Sequence, residues 1–253
     1  MVWLLTKHHL TAAIKDRLFI GLFVLAAVGI SLSIFLGSSA ITETDQFSLV
    51  FAAGGLRIGA LLTLVLFTVF YIRRSFDSHT VEYLLSKPIS RLQFLLSYTI
   101  ALSLLAFVIS VFISASLIAL PGNTPISSIA FWSISIFAEL VVMVNVALFF
   151  SLMLSSAVSA SMMSIAFYVL SRLIGGILAI VNSGSSPSHV VLEKLMLLLS
   201  VFIPRLDLMG QTSWLVYGVE SSNVSGLFIL TQGIIFCGLV FAASFWDLQR
   251  KQF

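Results

Sequence analysis

The chain has 253 residues, of which 59% are hydrophobic and 9% charged, against roughly 25% charged in soluble globular domains. No soluble fold hides that much apolar surface, so it reads as an integral membrane protein, with length for about six spans and none left for a further globular domain. A net charge of +3 with a pI near 9.2 does not point to nucleic acid, because basic residues of a polytopic membrane protein report orientation; the single cysteine, Cys237, excludes an intramolecular disulfide and a multi-cysteine zinc site.

In chain order, an amphipathic segment from Met1 to Arg17 carries Lys7, His8, His9 and Lys15. The first apolar run, 18 to 38, follows. Its Ser38-Ser39-Ala40 end resembles a signal-peptide cleavage site, but the run is longer than the 7 to 15 residues of such a core. The second run, 48 to 72, contains Arg57, with Gly55 and Gly59 in a small-xxx-small spacing that admits a close neighbouring helix. Residues 73 to 93, RRSFDSHTVEYLLSKPISRLQ, form the longest polar connection on this side. Asp77 is placed to cap a short helix with Val81, Leu84 and Leu85 on one apolar stripe, and Pro88 stops it. Ser90 and Gln93 then make a capping box that opens the third span, 94 to 120. An exposed amphipathic helix of this kind suits either a groove on another protein or the lipid surface.

The fourth run, 130 to 154, holds Glu139, and the fifth, 157 to 181, holds Arg172. Serines such as Ser110, Ser114, Ser155, Ser159 and Ser161 read as interhelical contacts. Segment 182 to 223 begins with a linker of flexible composition, Ser183 to Ser188. Val190 to Phe202, thirteen residues ended by Pro204, is too short to span and reads as an interfacial or re-entrant helix. The last run is 224 to 246. The runs are continuous rather than alternating, which excludes a barrel, and no solenoid repeat appears. The predicted fold is therefore all-α: one polytopic domain, 1 to 253, with six transmembrane helices.

With the N-terminus inside, the inner segments hold Lys7, Lys15, Arg17, Arg73, Arg74, Lys87, Arg91, Arg250 and Lys251, and the outer ones only Lys194 and Arg205. Nine basic residues against two place both termini in the cytoplasm. Trp132 at an outer end, with Tyr71 and Trp246 at inner ends, fits an interfacial aromatic belt. No HExxH, GxSxG or GxxxxGK[ST] motif occurs, so the chain carries neither a nucleotide-binding loop nor a familiar hydrolase site. Arg57, Glu139 and Arg172 are the three ionisable residues inside apolar runs, each nine residues from the outer end of its run. That puts all three about 14 Å below the outer boundary, in one charged layer. Two readings fit the layer: a polar element or gate of a translocation path, or a structural ion pair that fixes helix packing.

Thr80-Val81-Glu82-Tyr83-Leu84-Leu85-Ser86-Lys87-Pro88-Ile89-Ser90-Arg91 follows the pattern T-hydrophobic-E-x-L-L-S-x-P-hydrophobic-S-R. In this it resembles the permease subunits of ABC-2 type exporters. The resemblance extends to the segment Met1 to Arg17, the six-span layout, Ile203-Pro204-Arg205-Leu206-Asp207-Leu208 before the last span, and the basic end Asp247-Leu248-Gln249-Arg250-Lys251. Asp77-Ser78-His79-Thr80 departs from the frequent Glu-x-Gly-Thr, and Ser97-Tyr98 from a frequent Gly-Lys. The resemblance implies a bacterial inner-membrane permease without catalytic residues or bound cofactors, paired with a second permease, as a homodimer, and with two separate ATPase subunits that bind ATP and Mg. It makes 1 to 17 an elbow helix along the inner interface. It also assigns ATPase coupling to the segment of Thr80, Val81, Glu82, Leu84, Leu85, Pro88 and Arg91. The sequence does not specify a substrate, although serine-rich spans with few charges allow an amphipathic or lipid-like cargo. The alternatives are a membrane anchor or assembly factor for cofactor or metalloenzyme maturation, and an intramembrane enzyme using Glu139 or a serine.

Overall fold

The structure, a computed structural model, describes residues 2–16, 18–39, 43–78, 81, 89–118, 120, 124–183 (178–183 as backbone), 203–219 and 226–250. Among these are eight α-helices and no strand: α1 (Val2–Lys15), α2 (Leu18–Ser38), α3 (Thr44–Asp77), α4 (Arg91–Ile118), α5 (Ile126–Met153), α6 (Ala157–Ser183), α7 (Ser213–Tyr217) and α8 (Gly226–Arg250), with a 3₁₀ turn at Leu206–Leu208. Six of them, α2 to α6 and α8, are long and apolar enough to cross a membrane. The chain is thus a multi-pass membrane protein. In hydrocarbon every backbone N–H and C=O must find its partner internally, and an uninterrupted helix of Leu, Ile, Val, Phe and Ala does this within one segment.

α5 is the central helix: it packs on α3, α4, α6 and α8. Its Trp132, Ile136, Val142, Met143 and Val144 are fully enclosed. Trp132 therefore belongs to the core rather than to an interfacial belt, and Phe131 beside it meets Trp214 edge-on at 4.8 Å. Trp246 does lie exposed, with the Arg250 guanidinium 5.1 Å above its ring. α2 leans on α3 alone along most of its length and exposes Phe23, Val24, Val28 and Phe35. Such a one-sided apolar helix is stable only with hydrocarbon on its other face. The close α2–α3 approach is made at Gly59, where an added Cβ would stand 2.7 Å from Leu25. The Ser33 hydroxyl donates to the Ser48 carbonyl across the same interface.

α3 extends beyond its apolar run at both ends and, at 34 residues, is about 51 Å long, which exceeds the roughly 30 Å hydrocarbon layer. Asp77 ends α3 and turns back to Arg73 at 3.3 Å. The short helix that Asp77 is expected to cap falls largely outside the described residues. The capping box forms as the sequence predicts: the Ser90 N–H donates to Gln93 Oε1 and the Gln93 N–H to Ser90 Oγ, both at 3.2 Å, and α4 opens at Arg91. Ser110 and Ser114 hydrogen-bond to carbonyls of their own helix at 2.8 and 2.7 Å and are buried, as is Ser161, while Ser155 and Ser159 are exposed. The proposed helix at 190–202 lies outside the described residues.

One end of the bundle is basic. Arg74 lies 3.7 Å from Asp16, Arg73 Nη1 donates to the Leu154 carbonyl at 3.2 Å, and Arg91 Nη1 donates to the carbonyls of Leu248 and Gln249 at 2.6 and 2.9 Å. These contacts gather the link after α1, the end of α3, the start of α4, the turn between α5 and α6 and the end of α8. α1 lies across this end against α4. At the opposite end, residues 203–219 dip into the bundle: Leu206, Met209 and Trp214 are fully buried, and Asp207 rests directly on Gly175. Gly175 is eight residues inside the end of α6, so this irregular stretch descends by about 12 Å.

Candidate functional site

The three intramembrane ionisable residues converge. Arg57 stands thirteen residues into α3, Glu139 thirteen into α5 and Arg172 eleven from the end of α6, so helix geometry alone puts them at a common depth. Arg57 holds Glu139 with two parallel hydrogen bonds, Nε to Oε2 at 2.7 Å and Nη2 to Oε1 at 2.6 Å. This fork-on-carboxylate geometry is the strongest form of ion pair open to an arginine. Both partners are buried, with 5% and 1% of their side chains exposed. Arg172 approaches the same carboxylate from the other side, its Nη1 3.6 Å from Oε1. The Tyr168 hydroxyl, one helical turn before Arg172, faces it too.

The dipping segment completes the cluster with backbone. Arg57 Nη1 donates to the Gly210 carbonyl at 2.7 Å, and Arg172 Nη1 to the carbonyls of Leu206 and Met209 at 2.7 and 3.0 Å. Irregular backbone at this depth survives only where protein satisfies it, and here the two arginines supply the donors. The Gly210 N–H in turn donates to Ser135 Oγ at 2.8 Å, four residues before Glu139 on α5. Gly210 has φ +58°, and a Cβ there would stand 2.6 Å from Ile136 and 2.9 Å from Arg57 Nε. Only glycine fits both the left-handed backbone and the close approach. Asp207 is neutralised by Arg205 at 2.9 Å.

Beside the cluster lies a cavity of about 540 Å³ between α3, α6 and the dipping segment. Arg57, Tyr168 and Arg172 edge it on the charged side, and Ile58, Val169 and Leu173 form an apolar wall. Gln211, Thr212 and Ser213 close it from the dipping segment. The Glu139 oxygens are both taken by guanidinium donors, so the arrangement holds charge in place. Among the described residues no three His, Cys, Asp or Glu side chains gather as metal ligands.

Of the segment to which the resemblance assigns ATPase coupling, Val81 is buried and Arg91 is anchored to the last turn of α8; Thr80, Glu82, Leu84, Leu85 and Pro88 lie outside the described residues. A second cluster sits where α1 crosses the basic end. His9 is buried, its Nδ1 2.8 Å from the Tyr71 hydroxyl and its ring centroid 3.9 Å from that of Tyr98. Burial, helped by the adjacent His8, pushes its pKa down to about 4. A cleft of about 320 Å³ opens beside it, between His8 and Lys15 of the N-terminal segment and Arg74 and Ser75 of α3.

Sequence reasoning names the three charged residues but not the carbonyls of Leu206, Met209 and Gly210. The available signals are spacings of four that put Ser135 under Glu139 and Tyr168 under Arg172 on one helix face. No protein-family model matches the chain, and no curated protein matches it either.

Proposed function

We propose that the chain is the transmembrane permease subunit of an ABC-2 type export complex, which moves a substrate across the membrane with ATP hydrolysed on separate ATPase subunits. The observation that carries this reading is the coupling segment, Thr80 to Arg91, taken with its mechanical setting. Its two ends are tied to different parts of the bundle: Val81 is buried just beyond α3, and Arg91 grips the end of α8 through two carbonyls. A force applied to this segment by a docked ATPase therefore reaches α3, α4 and α8 together. The layer of Arg57, Glu139 and Arg172 supports the reading from the other end of the path: these groups join α3, α5 and α6, so helix movement at the basic end is felt at the cavity.

In this proposal the basic end faces the cytoplasm, the chain pairs with a second copy, and the site makes no covalent bonds. ATP-driven closure shifts the permease between states only in so far as the ATPase docks more tightly to one of them. The test is Leu84→Asp in the coupling segment. Desolvating the new carboxylate in a docking groove costs several kcal/mol, more than the roughly 1.5 to 3 kcal/mol gained by burying the leucine. The permease is expected to insert and fold normally while losing the ATPase on co-purification. Retention of the ATPase with unchanged affinity and unchanged hydrolysis would refute the coupling role.

A further inference from the structure

The charges around the cavity do not balance. Arg57 and Glu139 cancel in a two-bond pair and Arg205 cancels Asp207, which leaves Arg172 as one surplus positive charge among the described residues of this layer. Its Nη1 is steadied by two carbonyl dipoles, yet 30% of the side chain remains exposed on the cavity side. The Glu139 carboxylate 3.6 Å away is already shared with Arg57, and a positive charge left uncompensated at membrane depth is expensive unless a further anion or water meets it. The wall opposite is apolar: Ile58, Val169 and Leu173 line the cavity and are 50%, 46% and 53% exposed. The cavity thus opens sideways onto exposed apolar surfaces of α3 and α6, and its volume is in the range of pockets that take small molecules, about 300 to 1,000 Å³.

We infer that this cavity binds an amphipathic anion, a single hydrocarbon chain ending in a carboxylate or phosphate, with the anionic end on Arg172 and the chain along Ile58, Val169 and Leu173. Thr212 and Ser213 of the dipping segment line the same cavity and add polar side chains to its lining. Such a molecule reaches the site from within the bilayer, tail and head each meeting a matching surface. That the bound molecule is the cargo rests on the permease reading; the binding itself does not, and it is measured on this chain without any ATPase.

The experiment is equilibrium binding of radiolabelled dodecyl phosphate to the full chain in phosphatidylcholine nanodiscs, with empty nanodiscs subtracted. Saturable binding is expected, displaced by dodecanoate but not by dodecanol, dodecyltrimethylammonium or inorganic phosphate. Arg172→Gln should weaken it roughly tenfold or more, the loss of one charge-assisted hydrogen bond, while Arg172→Lys retains most of it. Because Arg172→Gln also removes the bonds to Leu206 and Met209, Val169→Trp provides the second arm. It fills the mouth from an exposed position, leaves those bonds in place, and should abolish binding with the unfolding temperature unchanged. Equal displacement by the cationic or neutral amphiphile, displacement by inorganic phosphate alone, or undiminished binding to Val169→Trp would each overturn the assignment. Failure of the unaltered chain to co-purify with any ATPase would count against the permease reading and leave this binding untouched.

Discussion

Glu139 is gripped on both oxygens, so its substitution removes more than one contact. Glu139→Gln leaves the Arg57 guanidinium buried without its counter-charge, and breaking a buried pair from one side costs about 3 to 5 kcal/mol. Arg57→Gln should cost a similar amount, and Arg57→Gln with Glu139→Gln little more than either alone, because the second change removes a charge already orphaned. Denaturation of the detergent-extracted variants checks this. Simple additivity would mean that the two groups do not act as a pair. The residues of this cluster differ in how legible they are. Arg57, Glu139 and Arg172 stand out because an ionisable group in an apolar run is costly and has to be accounted for. The carbonyls of Leu206, Met209 and Gly210 do not, since every residue carries one and only the fold selects which are aimed at a guanidinium. Gly210 is the one position there where the side chain itself, by its absence, records the geometry.

At the scale of elements, α1, the elbow of the proposed reading, is held by the ring contacts of His9 with Tyr71 and Tyr98 as well as by its packing on α4. The folded-state pKa of His9, lowered to about 4, lies below the 6.5 of an exposed imidazole. Between those values the undocked elbow binds a proton that the docked one does not. Docking strength is therefore complete above about pH 6.5 and falls as the pH drops towards 4, by an amount on the order of 3 kcal/mol. Hydrogen exchange of residues 2–15, corrected for the intrinsic pH dependence, should show protection at pH 7 that weakens at pH 4.5. His9→Phe keeps an aromatic ring against Tyr98 and should remove the pH dependence; a dependence that persists would place the titrating group elsewhere. The spans themselves are readable from uninterrupted apolar runs, and α2 matches its run of 18 to 38 residue for residue. Their ends are less so: α3 continues over Thr44 to Phe47 and on to Asp77, because a helix carries on through polar residues once outside the hydrocarbon. Residues 203–219 are the least legible, mixing Pro204, charged Arg205 and Asp207, and buried Trp214, so neither a hydropathy window nor a helical period marks a stretch that enters the bundle.

For the whole molecule, the decisive asymmetry is charge. Lys15, Arg73, Arg74, Arg91 and Arg250 belong to one end of the bundle, and the opposite end among the described residues carries Arg205, itself paired with Asp207. In the proposed reading the basic end lies in the cytoplasm, because moving lysine and arginine across the membrane is opposed during insertion. The proposed function depends on this orientation: it puts the segment Thr80 to Arg91 where ATP is, and the charged layer and its cavity in the outer half of the membrane. Single cysteines at Ser78 and Asn123 test it in a Cys237→Ser background. Cys237 is the single cysteine of the sequence, and its sulfur accepts a contact from Asn145 Nδ2 at 3.7 Å that a serine hydroxyl can also accept. An impermeant maleimide applied to intact cells should label the Asn123→Cys protein and leave the Ser78→Cys protein unlabelled until the membrane is opened. External labelling of Ser78→Cys would invert the protein, put the coupling segment out of reach of a cytoplasmic ATPase, and end the exporter reading, while the pairing of Arg57 with Glu139 would stand.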